Sequence, residues 1–337
     1  LRTDADPDVP PRGPNNIGGT RAIVFTHPPE HTRVRRLLAK VFTPRAVENL
    51  RPRVQRLVDG ILDEAAERGE LDVIEDLANV VPITVICEVL GVPVADRHRF
   101  RPWSVVATRS FDGPADPDTD AAARAGWKAL TAYMDDLIAE HRAHQGDDLL
   151  SALIAAEEEG DRLTTDELRV NAIGLLVAGH ETTTNLIGNG TYALLCHPDQ
   201  LERWRDDPTL TPSAVEELLR YDPMVQIISR MATEDIDVAG HHFAPGDHAL
   251  LLLGAANRDP ERFPDPDRLD LGRNDGSHLS FGHGMHHCLG AALARLEGQV
   301  TIGSLVARFP NLRLLTPDVR YREHLVMRGL TELRVAV

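Results

Sequence analysis

A chain of 337 residues is long enough to bury a large core, and a formal net charge of −16 argues against nucleic acid as a partner of its surface as a whole. Hydrophobic residues at 42% and charged residues at 26% are the balance of a folded enzyme, which excludes disordered and fibrous classes. Three cysteines (Cys87, Cys196, Cys288) form no disulfide framework and suit a reducing, cytoplasmic compartment; no run of about 18 apolar residues and no signal-peptide pattern points to a membrane or to export.

Residues 4–19, rich in Pro, Gly, Asp and Asn, read as a loop. From about Pro28 the pattern turns helical, with the basic side chains Arg33, Arg35, Arg36 and Lys40 close together. Thr43-Pro44 reads as an N-cap and a first-turn proline, predicting one long amphipathic helix towards Arg68. Further helices are expected over 75–90, 94–108 and 120–143. Thr164-Thr165-Asp166-Glu167 is a capping-box pattern opening a largely apolar helix to about Cys196, and a helix apolar on most faces runs through a protein's centre. Thr211-Pro212 before Val215, Leu218 and Leu219 starts another, ended by Tyr221-Asp222-Pro223. Strand patterns appear only late, over 225–228 and 249–253, with Pro245-Gly246 as a turn between them. A last helix is expected over 289–309. Without repeats or a linker, residues 1–337 read as a single domain, mainly α with minor β.

Four clusters carry chemistry. Phe281-Gly-His-Gly-Met-His-His-Cys288-Leu-Gly290 is a glycine-rich loop before a helix, whose backbone can approach a flat ligand closely. A cysteine at that helix's N-terminus meets free N–H groups and a dipole that favour thiolate, the form an iron ligand requires. On its own a lone cysteine is more often a small buried hydrophobe. A zinc hydrolase built on His283, His286, His287 and Cys288 is a second reading, weakened by the lack of a distant ligand pair. Ala178-Gly-His-Glu-Thr-Thr-Thr184 places a poor helix-forming run within the central helix, where threonine hydroxyls can loosen the backbone ladder. His180-Glu181 is no zinc-protease motif, since position 184 is Thr rather than His. Glu217 and Arg220 share a helix face, a spacing that alone means a weak surface pair. The stretch from His27 to Arg36 is a basic helix start.

FGHGMHHCLG resembles the cysteine-loop signature of the cytochrome P-450 family through Phe281, Gly284, His286, Cys288 and Gly290. AGHETTT, EELLRYDP and HPPEHTRVRR are similar to further elements of that family, and the resemblance runs from Pro28 to the chain's end. It implies a cytochrome P-450 fold, here without the usual N-terminal helix and part of the first β-sheet, which family members carry ahead of this point. The implied cofactor is haem b (iron protoporphyrin IX), with Cys288 as the metal ligand and Phe281, Gly282, Gly290 and Ala178 against the cofactor. His31, Arg35, Arg230 and His286 are the implied propionate partners. Glu181 and Thr182 are the implied catalytic proton-delivery pair. Glu217 and Arg220 are the implied structural pair, with Arg273 as a third member. The organic substrate is implied to meet Val177, Val225, Ile227, Ile228, Leu325 and Val326.

The implied reaction takes O2 and two electrons and inserts one oxygen atom into a small organic substrate, by hydroxylation or epoxidation, typically in natural-product biosynthesis. A ferredoxin and a ferredoxin reductase are the implied electron donors, with Arg36, Lys40 and Arg295 as a candidate basic rim. A haem-binding but non-catalytic sensor or recruiting protein is the alternative, and the retention of Glu181 and Thr182 speaks against it.

Overall fold

Where chain punctuation is strong, the observed elements follow it closely; the computed structural model describes residues 20–112, 116–155, 163–315 and 318–337. The expected loop over 4–19 lies outside the described residues. Helix α1 (Glu30–Ala39) starts directly after the two prolines. The single helix expected from Thr43 to Arg68 is instead two, α2 (Pro44–Glu48) and α3 (Arg51–Arg68). Thr43 caps the first as predicted, its Oγ1 accepting from Ala46 N at 3.3 Å. Pro52, in the first turn of α3, offers no N–H and disfavours helix in the residue before it, so the helix restarts there rather than running through.

The chain continues through α4 (Val80–Val89), α5 (Arg97–Thr108), α6 (Pro117–Ala143) and α7 (Leu149–Ala155). Helices α5 and α6 meet where a side chain on Gly126 would lie 2.7 Å from the Trp103 carbonyl oxygen, so only glycine allows that approach. The central helix, α8, spans Thr165–Cys196 without a break. Its capping box is reciprocal: Thr164 N donates to Glu167 Oε2 at 2.7 Å, and Glu167 N donates to Thr164 Oγ1 at 3.1 Å. Glu167 also accepts from Arg33 of α1, so one carboxylate ties two helix starts together. Thr164→Ala should therefore cost about 1 kcal/mol in urea denaturation, and an unchanged midpoint would show that the box carries no stability.

Four further helices follow: α9 (Pro198–Asp206), α10 (Thr211–Tyr221), α11 (Leu253–Ala256) and α12 (Ala291–Arg308). Strands are short. β1 (Glu70–Asp72), β6 (Arg313–Leu314) and β7 (Arg334–Ala336) form a sheet of order β1-β7-β6, with the buried pair Leu71–Val335 in register. β2 (Ile227–Met231) pairs with β5 (His248–Leu252), and β3 (Ile236–Val238) with β4 (His241–Phe243). The expected strand over 225–228 is thus shifted. Its first residues pair elsewhere, Val225 bridging to Met327. The architecture is mainly α with minor β, and no helix among the described residues is long and apolar enough to cross a membrane.

Contacts divide the described chain into two compact units. One comprises residues up to Val41, Ile86–Ala178 and Ile227–Leu251; the other comprises Phe42–Val85, Gly179–Gln226 and Leu252–Val337. The first holds the buried faces of α1, α5 and α6, centred on Leu38, Phe100, Leu130 and Met134. The second packs α12 against α3 and α10 around Leu62, Leu219, Ile302 and Leu305.

Candidate functional site

In the second unit the i,i+3 pair Glu217–Arg220 is no surface contact. Its side chains are 1% and 2% exposed, and the guanidinium meets both carboxylate oxygens at 2.7 and 2.8 Å. The remaining Arg220 N–H groups donate to the carbonyls of Asn257 (2.9 Å), Pro266 (2.8 Å) and Arg268 (3.2 Å). Arg273 joins as the third member, Nε donating to Glu217 Oε1 at 3.2 Å and its other N–H groups to the carbonyls of Pro264, Asp265 and Arg268. A buried ion pair is tolerable only when the leftover donors are satisfied, and here main-chain oxygens satisfy them.

The network reaches the cysteine loop through Asn257 and Ser280, two residues sequence reading missed. Asn257 Nδ2 donates to Ser280 Oγ at 2.8 Å, Asn257 Oδ1 accepts from Leu279 N at 2.7 Å, and Ser280 Oγ donates to Leu219 O at 2.6 Å. Phe281, buried at 8% exposure, therefore leaves a fixed point. Gly282 (φ 69°) and Gly284 (φ 74°) take left-handed backbone that other residues resist, and Cys288 N closes the loop by donating to Phe281 O at 2.8 Å. Cys288 is exposed and stands two residues ahead of the Gly290 cap of α12, rather than within the helix's first turn. A Cβ added at Gly290 would meet nothing within 4 Å, so this side of the loop is open. His286 is half-buried, while His283 and His287 are exposed. Among the described residues no three His, Cys, Asp or Glu side chains converge as a metal-ligand set, so the zinc reading has no geometry to stand on.

Behind the loop, Arg295 of α12 lies 4.4 Å from the centroid of the Phe281 ring. Glu216 holds it with two bonds, from Nε (2.6 Å) and from an NH2 group (2.8 Å). His278 Nδ1 accepts from Ser280 N, which leaves the proton of this neutral imidazole on Nε2, 3.3 Å from Glu216 Oε2 but off-line for a hydrogen bond. Burial pushes the Glu216 carboxyl up, but Arg295 and His278 outweigh it and hold it at about 2.

Thr184 Oγ1 donates to Ala78 O at 2.8 Å, on another segment, instead of to the turn before it. Glu181 is buried at 3% exposure and accepts from Arg322 at 2.5 Å, with His180 Nε2 3.7 Å from its other oxygen. Thr182 is half-buried, Val177 buried and Ala178 exposed. Val225 and Val326 come together because Gln226 N donates to Val326 O and Arg328 N to Met224 O, both at 2.8 Å; Leu325 beside them is 59% exposed.

In the first unit, His31 and Arg35 stand one turn apart on α1, His31 buried and Arg35 half-buried. Burial first, then the charges of Arg35 and His27, push the His31 imidazole below its usual 6.5. Arg230 on β2 is half-buried, donates to Ser229 O at 2.8 Å, and has its pKa lowered by burial alone. Among the described residues no carboxylate answers its charge, which fits a cofactor anion such as a propionate. Ile227 and Ile228 are half-buried on the same strand.

Residues 116–314 match the family model of cytochrome P450. Cytochrome P450 107B1 of Saccharopolyspora erythraea is 48% identical over 313 residues, which are 92% of this chain and 76% of the relative. The 6-deoxyerythronolide B hydroxylase of the same organism is 43% identical over 311 residues, 91% of this chain and 76% of that protein. Among solved structures, the cytochrome P450 PksS of the Bacillus subtilis 168 bacillaene polyketide synthase superimposes with a TM-score of 0.88 at 37% identity, covering 94% of this chain and 81% of that one.

Proposed function

The chain belongs to the cytochrome P450 family, a haem monooxygenase acting on an organic substrate with O2, and from that premise we propose that it oxidises natural-product intermediates with Cys288 as its iron ligand. The observation that carries the ligand assignment is the exposed Cys288 on a loop whose entrance is pinned by the buried Glu217–Arg220–Asn257–Ser280 network. Haem, when bound, supplies the oxidation itself: with O2, two electrons and two protons, one oxygen atom goes to the substrate and the other leaves as water. The chain's own residues bind, orient and move protons.

Cys288, just ahead of α12, would be held as thiolate by the helix's N-terminal dipole. Phe281, Gly282 and Gly290 would leave the cofactor a flat, close approach, with Ala178 also against it. Arg230, whose charge has no counter-ion among the described residues, would bond a propionate; His31, Arg35 and His286 would serve the same role. Thr182 and Glu181 would move protons to the reacting oxygen. For that step Glu181 Oε1 has to exchange Arg322 for water, since it is now ion-paired. Val177, Val225, Ile227, Ile228, Leu325 and Val326 would give the substrate an apolar wall.

The natural-product assignment is supported by the names of the relatives, one a hydroxylase of 6-deoxyerythronolide B and one a P450 of a polyketide synthase. A ferredoxin with its reductase would supply electrons in the cytoplasm. Arg36 and Lys40 are exposed, whereas Arg295 is committed to Glu216.

The test supplies 6-deoxyerythronolide B and related polyketide lactones with reduced ferredoxin, its reductase and heavy-isotope O2. Product carrying one heavy oxygen atom is the expected result. A haem spectrum with no oxidised product from any of these compounds would favour the non-catalytic alternative.

A further inference from the structure

We propose that Arg295 is a positioning residue for the thiolate: its guanidinium, clamped by Glu216 on the Phe281 ring, sets how strongly Cys288 donates to the iron. The inference rests on the reading of Cys288 as ligand. Three contacts carry it.

The first is the clamp, in which two parallel N–H···O bonds at 2.6 and 2.8 Å fix the guanidinium plane. The second is the stack, 4.4 Å from the Phe281 centroid, which leaves the cation one ring away from the loop. The third is the loop closure, Cys288 N donating to Phe281 O at 2.8 Å, which sets cysteine and ring side by side on one loop. His278 Nε2 lies 3.3 Å from the Glu216 carboxylate. Arginine used only for docking leaves its fork to solvent; this one has spent both edge donors and one face inside its own chain.

Electrostatics give the arrangement a sign. Arg295, stacked on the Phe281 ring, is the member of the pair that meets the loop carrying Cys288. A cation there stabilises negative charge on sulfur, weakens its donation to iron and favours the ferrous state. Glu216 partly cancels that cation. Removing the arginine and removing the glutamate charge should therefore act in opposite directions, which a merely structural role would not produce.

The experiment is a redox titration of the haem-loaded full chain for wild type, Arg295→Met, Arg295→Lys and Glu216→Gln, each checked by its reduced carbon monoxide spectrum. Arg295→Met should shift the ferric/ferrous equilibrium towards ferric about fivefold to tenfold, tenfold being about 59 mV for one electron. Arg295→Lys should fall between it and wild type, and Glu216→Gln should shift towards ferrous. Equal-sign shifts in Arg295→Met and Glu216→Gln, or none beyond about twofold with the red-shifted band intact, would overturn the proposal. Should Arg295→Met fail to take up haem, Glu216→Gln decides alone: a shift towards ferrous supports the clamp, while no shift or the reverse overturns it. A wild-type protein lacking the red-shifted band would refute the ligand reading itself, and this inference with it.

Discussion

Cys288→Ala protein, reduced under carbon monoxide, will lack the strongly red-shifted Soret band of thiolate-ligated haem and will insert no oxygen into substrate. The effect should be almost wholly chemical. Cys288 is exposed and contributes no core packing, so trimming its sulfur should change the stability of the haem-free chain by no more than about 0.5 kcal/mol. Neither other cysteine can take its place. Cys87 is buried among apolar neighbours, which push its thiol up to about 12, and Cys196 ends α8 far along the sequence from the glycine-rich loop. The comparison of wild type and variant, with denaturation curves alongside, separates ligand loss from unfolding. A variant that keeps the band would reassign the ligand and leave the loop without its proposed purpose.

Arg220→Met should be the most damaging single change to the fold, destabilising the protein by about 3–5 kcal/mol because it leaves the buried Glu217 carboxylate with Arg273 alone as its cation and three carbonyls without their donor. Glu217→Gln should fall at the lower end of that range from the opposite side, leaving buried Arg220 without its carboxylate while Arg273 keeps Asp275. Arg220→Met also removes the bond to Asn257 O, and with it support for the hydrogen bonds that hold Leu279 and Ser280 at the loop's entrance. Haem content after purification should therefore drop together with the urea midpoint. A variant of wild-type midpoint and full haem content would show that the pair is replaceable and that the loop holds its shape unaided.

What sequence alone made legible was local. The capping box at Thr164–Glu167, the proline starts at Thr43 and Thr211, and the long apolar helix to Cys196 all depend on neighbours within a turn or two, and all are present. The cysteine loop was readable for the same reason: its glycines and Cys288 lie within ten residues. Glu217 and Arg220 were readable as a pair, but not as a buried one, because burial depends on the carbonyls of residues 257–268 that no spacing announces. Asn257, Ser280 and Arg322 were invisible for that reason, each acting through partners tens of residues away or more. The break at Asn49–Leu50 was overlooked because the amphipathic pattern continues across it, while Pro52 interrupts only the backbone. Short strands such as β1 and β7 carry too few residues to show alternation.

The manner in which Arg220 and Arg273 grip the segment after Asn257 has a consequence for how this region tolerates change. Five of the six carbonyl bonds they make fall on Pro264, Asp265, Pro266 and Arg268, and all six accept through the main chain. The two arginines thus read the path of the chain and are indifferent to most of the side chains along it. Exchanging Asp265 or Arg268 for another residue that keeps the path leaves the grip in place. Adding or removing a single residue between Asn257 and Arg273 moves the acceptors out of reach and exposes two buried cations at once. The meander is therefore a ruler: free in spelling, fixed in length.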